Sequence, residues 1–396
     1  MEVKKVIASE YVSFGHPDKI ADRISDSILD AFMEQDKNTR AGIEVMVKDN
    51  IVVLGGEITS NGKVNYEDIV RQVFEEIKFP NSHNLAPDNI KIINLIGKQS
   101  VEINKGVDQS ETVIGAGDQG FVVGYASNET KTFMPLGIEL ARQLCNIVST
   151  MDGCGPDTKS QVIVEYNGNQ KPIIKSILIS TMHSDLSVED LRLKLYLGIT
   201  LNRLGIDDNL YTNYIKDKNI KIDINPCGEW RIGGPVSDCG VTGRKIVVDQ
   251  YGGYCNVGGG ALSGKDMSKI DRSAAYMSRY IAKNIVASGI ANKAKVELSY
   301  MIGKPSPSSI NIELDTNNQY VDLIKKWINE NIDLTPYGII KKFGNVKHVK
   351  PLEKELCNRH YGICSEEIED EKINKYFPWE KLDFYKKLYH YIENNK

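Results

Sequence analysis

One order of elements, a helix, two strands and a second helix, recurs three times along the chain at a spacing of about 120 residues. No other feature restricts the fold as strongly, because each copy must bury its own apolar face against its own helices. The apolar pattern predicts a helix over 17–33, strands over 41–47 and 51–58, a helix over 66–77 and a strand near 90–95. A second copy reads as a helix over 135–148, strands over 160–166 and 173–182, a helix over 188–197 and a strand near 220–224. The third reads as a helix over 268–287, strands over 295–302 and 309–314, and a helix over 321–331. Hairpins followed by helices give mostly antiparallel or mixed sheets with helices on one face. The expectation is an α+β chain of three structurally similar domains in a pseudo-threefold arrangement. Their expected bounds are 3–101, 121–232 and 233–396, with 102–120 as a mobile loop and connector.

Composition narrows the partners. A net charge of −4 leaves no basic field to hold nucleic acid or an anionic membrane, so an anionic ligand must meet a local cluster of cations. No apolar run approaches the ~20 residues of a membrane span. The stretch MEVKKVIASEYV has no apolar core of a secretory signal. The seven cysteines are scattered, which fits a reducing cytoplasm. Cys357, His360 and Cys364 stand close together in CNRHYGIC, but no paired CxxC completes a zinc site, so a metal is not expected there.

Chemistry concentrates where the periodicity stops. In FGHPDK, Pro17 suits the first helical position and Asp18 complements the helix dipole, but neither role explains His16. Asp22, Asp26 and Asp30 continue the four-residue spacing of Asp18 and read as a solvated acidic face. The connectors IGKQSVEINKGVDQSETVIGAGDQG, GGPVSDCGVTGRK and YGGYCNVGGGALSGKD are glycine-rich, and functional residues favour such loops. GGGALSGKD has the glycine and lysine spacing of a phosphate-binding loop, but Asp266 stands where Ser or Thr should follow, so the standard loop is rejected. Its ingredients remain, small residues beside Lys265. Arg244 and Lys245 in TGRK, with Asp238 upstream, and Lys159 in PDTKSQV add cations, each of which alone reads as a surface charge. Lys269 and Asp271 open a helix as Asp18 and Lys19 do, placing a carboxylate where a metal can be shared. Asp118 lies between glycines, and Glu44 and Glu57 lie in the first hairpin. Cations, carboxylates and one histidine around glycine-rich loops are what holding a polyphosphate with Mg²⁺ requires. On the residues alone the second substrate stays open.

The motifs GHPDKIADRISD, GGEI, GKQS, GAGDQG, PDTKSQV, GGPVSDCGVTGRKIVVDQYGG, GGGALSGKD and KIDRSAAYMSRYIAKNIVASG resemble those of the S-adenosylmethionine synthetases, or methionine adenosyltransferases, in the same order. The resemblance implies ATP and L-methionine as substrates, Mg²⁺ and K⁺ as cofactors, and a homodimer, often a tetramer, with active sites between subunits. It implies attack of the methionine sulfur on C5′ of ATP, then hydrolysis of the tripolyphosphate to phosphate and diphosphate. ATP would meet His16, Asp157, Lys159, Trp230, Asp238, Arg244, Lys245, Ala261 and Lys265, of which His16, Lys159, Arg244, Lys245 and Lys265 would be catalytic. Methionine would meet Glu57, Gln99, Asp118, Asp238 and Lys269, with Asp18 and Asp271 as magnesium carboxylates and Glu44 as the potassium carboxylate. Phe14, Glu229, Trp230, Ser237, Val101 and Glu102 depart from the family pattern, and 357–376 is lengthened. Glu229 reverses the charge of a usual arginine, and Arg231, just beyond Trp230, reads as facing the opposite side of a strand.

Overall fold

The helix that follows GHP begins at Pro17 because His16 ends the extended backbone and caps it. This helix, α1 (Pro17–Gln35), fully buries Ile20, Ile24 and Ile28. The hairpin after it, β2 (Arg40–Lys48) and β3 (Ile51–Thr59), turns at Asp49, whose φ of 50° suits a tight two-residue turn. Ala41, Ile43, Val45 and Val47 point to the core while Glu44 and Met46 face outward, as strand alternation requires. Helix α2 (Tyr66–Ile77) packs on the same side, and β4 (Lys91–Asn94) runs parallel to β3. The computed structural model describes residues 4–98 and 114–395 except 169, 217, 317–318, 345, 354–355 and 365.

The second unit contains α3 (Leu136–Val148), the long hairpin β6 (Cys154–Asn167) and β7 (Ile173–His183), α4 (Val188–Thr200) and β8 (Lys221–Ile224). The third contains α5 (Ile270–Ala287), β10 (Lys293–Tyr300), β11 (Ser309–Leu314) and α6 (Gln319–Asn331). The expected mixed α+β architecture is present, with elements close to their expected places.

Strand exchange between units is not legible in the periodicity. The sheets run β4-β3-β2-β9, β1-β6-β7-β8 and β11-β10-β5, where β1 is Lys4–Val12, β5 is Gly120–Ser127 and β9 is Gly240–Val241. Each hairpin leaves an open edge, and a strand from another stretch of chain covers it. Thus β1, from the N-terminus, completes the second sheet, pairing Lys4 with Asn167 through to Val12 with Lys159. Neither β1 nor β5 is foreseen by the repeat, and nor are the C-terminal helices α7 (Pro336–Phe343), α8 (Asp370–Tyr376) and α9 (Tyr385–Asn394).

The C-terminal stretch closes over α5. Trp379 stacks on Tyr276 with ring centroids 3.6 Å apart. Glu380 is fully buried and takes Arg279 at 3.0 Å and Lys283 at 2.8 Å. Burial alone would raise its carboxyl, but these two cations hold it down at about 2.

The acidic face of α1 is not solvated, contrary to the expectation for Asp22, Asp26 and Asp30. They are 3%, 5% and 6% exposed. Each accepts hydrogen bonds from loops beyond residue 240: Asp22 from Gly243 N–H, Asp26 from Gly264 N–H, and Asp30 from His348 N–H and Val349 N–H. A carboxylate can be buried when its oxygens are satisfied in this way, and helix periodicity carries no information about partners so distant in sequence.

Candidate functional site

His16 sits where α1 begins. Gly15 N–H bonds Pro156 O at 3.1 Å, and a Cβ at Gly15 would lie 2.5 Å from the Pro156 carbonyl carbon, so glycine lets this turn dock on the start of β6. Phe14 is buried in the apolar cluster of α1 and the first hairpin, which accounts for an apolar residue at that position. His16 is 2% exposed, and its Nδ1 accepts the Asp18 N–H at 3.1 Å. Burial lowers its pKa to about 3, helped by the charges of Lys245 and Lys159. The ring is therefore neutral near pH 7, and with Nδ1 acting as acceptor the proton resides on Nε2.

Asp18 receives Val241 N–H at 2.9 Å and the Lys245 ammonium at 2.5 Å, with Arg244 Nη1 at 3.8 Å. Burial opposes ionisation, but the hydrogen bonds of Lys245 and Val241 hold its pKa below the usual carboxylate value. Asp157, at the start of β6, accepts Gly234 N–H at 2.8 Å through Oδ2, while Oδ1 is buried with no hydrogen-bond partner among the described residues. Burial pushes the Asp157 carboxyl up to about 6. Lys159 lies 6.0 Å from the Trp230 ring centroid, and the Trp230 indole N–H bonds Ile232 O at 2.8 Å. Asp238 is exposed and accepts Cys239 N–H at 2.8 Å.

A second group forms at the start of α5. Lys265 reaches Asp271 at 2.5 Å, and Lys269 reaches Asp266 at 3.4 Å. A Cβ at Gly260 would lie 2.0 Å from the Asp271 carboxyl carbon, so the glycine run lies directly against that carboxylate. Gly42 of β2 bridges to Lys265, bringing the hairpin of Glu44 and Glu57 alongside, both of them exposed. Gly117 comes within 3.3 Å of the Lys269 side chain at its Cβ position, placing the loop of the exposed Asp118 beside Lys269. Ala261 packs against the turn at Gly243, next to Arg244. Gln99 lies outside the described residues.

Two expectations change here. Residues 229–231 are not a strand, and Arg231 does not face away from Glu229: its guanidinium lies 3.0 Å from the Glu229 carboxylate. The reversed charge at Glu229 is thus answered by a cation two residues on. Sequence reasoning also missed Lys19, buried between Asp22 at 3.0 Å and Asp249 at 2.7 Å, and Arg272, which forks onto Asp26. The available signal was a lysine and an arginine directly beside Asp18 and Asp271 in sequence.

Profiles of the S-adenosylmethionine synthetase N-terminal, central and C-terminal domains match residues 4–101, 113–230 and 232–379. The chain belongs to the S-adenosylmethionine synthetase family. An S-adenosylmethionine synthase of Mesoplasma florum is 42% identical over 389 residues, covering 96% of this chain and 98% of its own. One from Borreliella afzelii is 41% identical over 397 residues, with 97% and 96% covered. A solved structure described as an unusual S-adenosylmethionine synthetase from Campylobacter jejuni is 34% identical, with a TM-score of 0.82 over 98% of this chain and 99% of that one.

As a member of this family the chain is a methionine adenosyltransferase, and its three-domain fold is the family's. Among the described residues no cluster of three or more His, Cys, Asp or Glu is arranged to hold a metal alone. Instead, Asp18 and Asp271 each stand at a helix start beside a lysine and offer carboxylate oxygens. That donor set fits Mg²⁺, which is commonly bound by one or two carboxylates together with substrate phosphates and water. No helix among the described residues is long and apolar enough to cross a membrane.

Proposed function

We propose that the enzyme joins ATP and L-methionine by attack of the methionine sulfur on C5′, at a site where the His16 group of one subunit faces the Lys265 group of a second copy in a homodimer or a dimer of dimers. The observation that carries this reading is the His16 tautomer: Nδ1 is occupied by the Asp18 amide, so Nε2–H is the group left to donate. The sulfur attacks with a lone pair and loses no proton, so no general base is needed. The C5′–O bond breaks, its electron pair goes to the bridging oxygen, and His16 Nε2–H donates to that oxygen. Lys159, Arg244, Lys245 and Lys265 meet the charge of the leaving tripolyphosphate, where one well-aimed donor contributes about 3–4 kcal/mol. Water then splits the bound tripolyphosphate into phosphate and diphosphate, within the same cations.

Trp230 offers a ring to adenine, with Asp157, Asp238 and Ala261 lining the nucleotide. Glu57, Gln99, Asp118, Asp238 and Lys269 orient methionine, whose amino and carboxylate groups need both signs of charge. Asp18 and Asp271 would hold Mg²⁺ and Glu44 would hold K⁺, which supply charge neutralisation to the polyphosphate when bound. The setting is cytoplasmic, without nucleic-acid or membrane partners.

Product analysis tests this. Purified enzyme with ATP, methionine, Mg²⁺ and K⁺ is expected to yield S-adenosylmethionine, phosphate and diphosphate in equal amounts. Release of ADP, or ATP consumption independent of methionine, contradicts it.

A further inference from the structure

Of the cations proposed to face the polyphosphate, Arg244, Lys245 and Lys265 lie on loops, and both of those loops are gripped by α1. Gly243 has φ +75°, and a Cβ there would lie 2.4 Å from Ala261 Cβ. Its N–H bonds Asp22 Oδ1 at 2.9 Å, immediately before Arg244 and Lys245. Gly264 has φ +78°, and its Cβ would lie 2.1 Å from Ile43 O. Its N–H bonds Asp26 Oδ1 at 2.9 Å, immediately before Lys265. The same geometry therefore occurs twice, four residues apart on one helix: a carboxylate, a left-handed glycine amide, then the cation.

Both loops are also held on their far side. Asp22 accepts Lys19 Nζ at 3.0 Å, Lys19 reaches Asp249 at 2.7 Å, and the Asp249 N–H bonds Lys245 O at 2.8 Å. Asp26 takes the Arg272 fork at 2.7 and 2.8 Å, and Arg272 Nη1 bonds Lys265 O at 3.0 Å. Asp22 and Asp26 are buried too deeply to meet substrate, so any influence on the reaction passes through the loops.

We propose that Asp22 and Asp26 are positioning residues of the reaction: through Gly243 and Gly264 they fix the direction in which Arg244, Lys245 and Lys265 present their charges. This rests on the assignment of those cations to the polyphosphate. A displacement of about 1 Å in such a group can cost on the order of 10²-fold in rate. Asp30 supplies an internal contrast. It is buried on the same helix and holds His348 and Val349, which precede none of the proposed cations.

The test compares Asp22→Ala, Asp22→Asn, Asp30→Ala and Lys245→Ala in the full-length enzyme. Lys19 keeps Asp249 when Asp22 is removed, so no buried cation is left unpaired. Amide hydrogen exchange at Gly243 is expected to quicken at least tenfold in Asp22→Ala. Its kcat is expected to fall at least tenfold, with KM for methionine within twofold of the parent. Asp22→Asn keeps an acceptor oxygen and is expected to restore much of both, while Asp30→Ala lowers Tm and leaves kcat within twofold. Asp22→Ala added to a variant lacking both Arg244 and Lys245 side chains is expected to cost little further, since Asp22 acts through those two cations. Should Asp22→Ala not fold, Asp22→Ser removes the reach to Gly243 with a polar filler and gives the same comparison. Faster exchange at Gly243 with kcat within twofold overturns the positioning role and leaves the cation assignment standing. A normal rate in Lys245→Ala overturns the assignment itself, and the inference with it.

Discussion

The Lys245 ammonium lies 2.5 Å from Asp18 Oδ2, and 2.5 Å likewise separates Lys265 from Asp271. The start of α1 and the start of α5 thus carry the same device, a lysine on a glycine-rich loop paired with an aspartate in the first helical turn. In the proposed complex Asp18 and Asp271 would hold Mg²⁺, and Lys245 and Lys265 would meet phosphate charge.

Removing one member of such a pair should impair chemistry more than folding. Lys265→Ala is expected to lower kcat by at least tenfold, in line with the ~10²–10³-fold loss for a donor to developing charge. Its effect on Tm is expected to be the smaller one, because both partners of the Lys265–Asp271 pair keep some contact with water, which weakens the pair. Steady-state kinetics beside thermal unfolding separates the two effects.

If the two groups come from different subunits, defects in each should complement. Co-expressed His16→Ala and Lys265→Ala subunits that pair at random are expected to regain about a quarter of the native rate, since a mixed dimer holds one intact site. Either variant alone should stay near its own low rate. Absence of recovery in purified mixed dimers would place both groups of a site in one chain.

Burial raises the pKa of Asp157 from its ordinary value of 3.8 to about 6. The folded state then binds the proton more tightly than the unfolded chain, so this residue's contribution is present below pH 3.8 and is lost as pH rises through 6. Asp157→Asn should remove that loss, making the variant more stable than the parent above pH 6 by an amount on the order of 1–3 kcal/mol. Denaturant unfolding at two pH values on either side of this window checks the sign, which would be opposite if the carboxylate were stabilised by its surroundings.

Glu380 neutralises two fully buried cations, Arg279 and Lys283. Glu380→Gln is expected to cost about 3–5 kcal/mol, because breaking a buried pair leaves uncompensated charge. Denaturant unfolding should show it, and a loss below 1 kcal/mol on that scale would mean that water reaches the site.

How much of this was legible in the sequence depended on distance along the chain. Pro17, the spacing of Ile20, Ile24 and Ile28, and the hairpin at Asp49 act locally, and they placed α1, β2 and β3 within a few residues. The strand β1 acts on β6, more than a hundred residues away, so nothing in KKVIASEYV announced its partner. Asp22 and Asp26 looked solvated for the same reason, their partners lying 221 and 238 residues on. Within the site, the motifs marked His16, Asp18, Lys245, Lys265 and Asp271, and the fold shows which of them touch. Arg231 departs from its expected side because residues two apart share a face even in a strand, and 229–231 is not a strand.

The most direct test of the account compares two reactions of one variant. His16→Ala removes the Nε2–H proposed to meet the oxygen leaving C5′, a bond that is broken in synthesis and is absent from added tripolyphosphate. Single-turnover formation of S-adenosylmethionine should fall at least 10²-fold, by the scale of a lost donor to developing charge. Hydrolysis of added tripolyphosphate should fall much less. Equal losses in the two reactions, or synthesis at the native rate, would contradict the role given to His16.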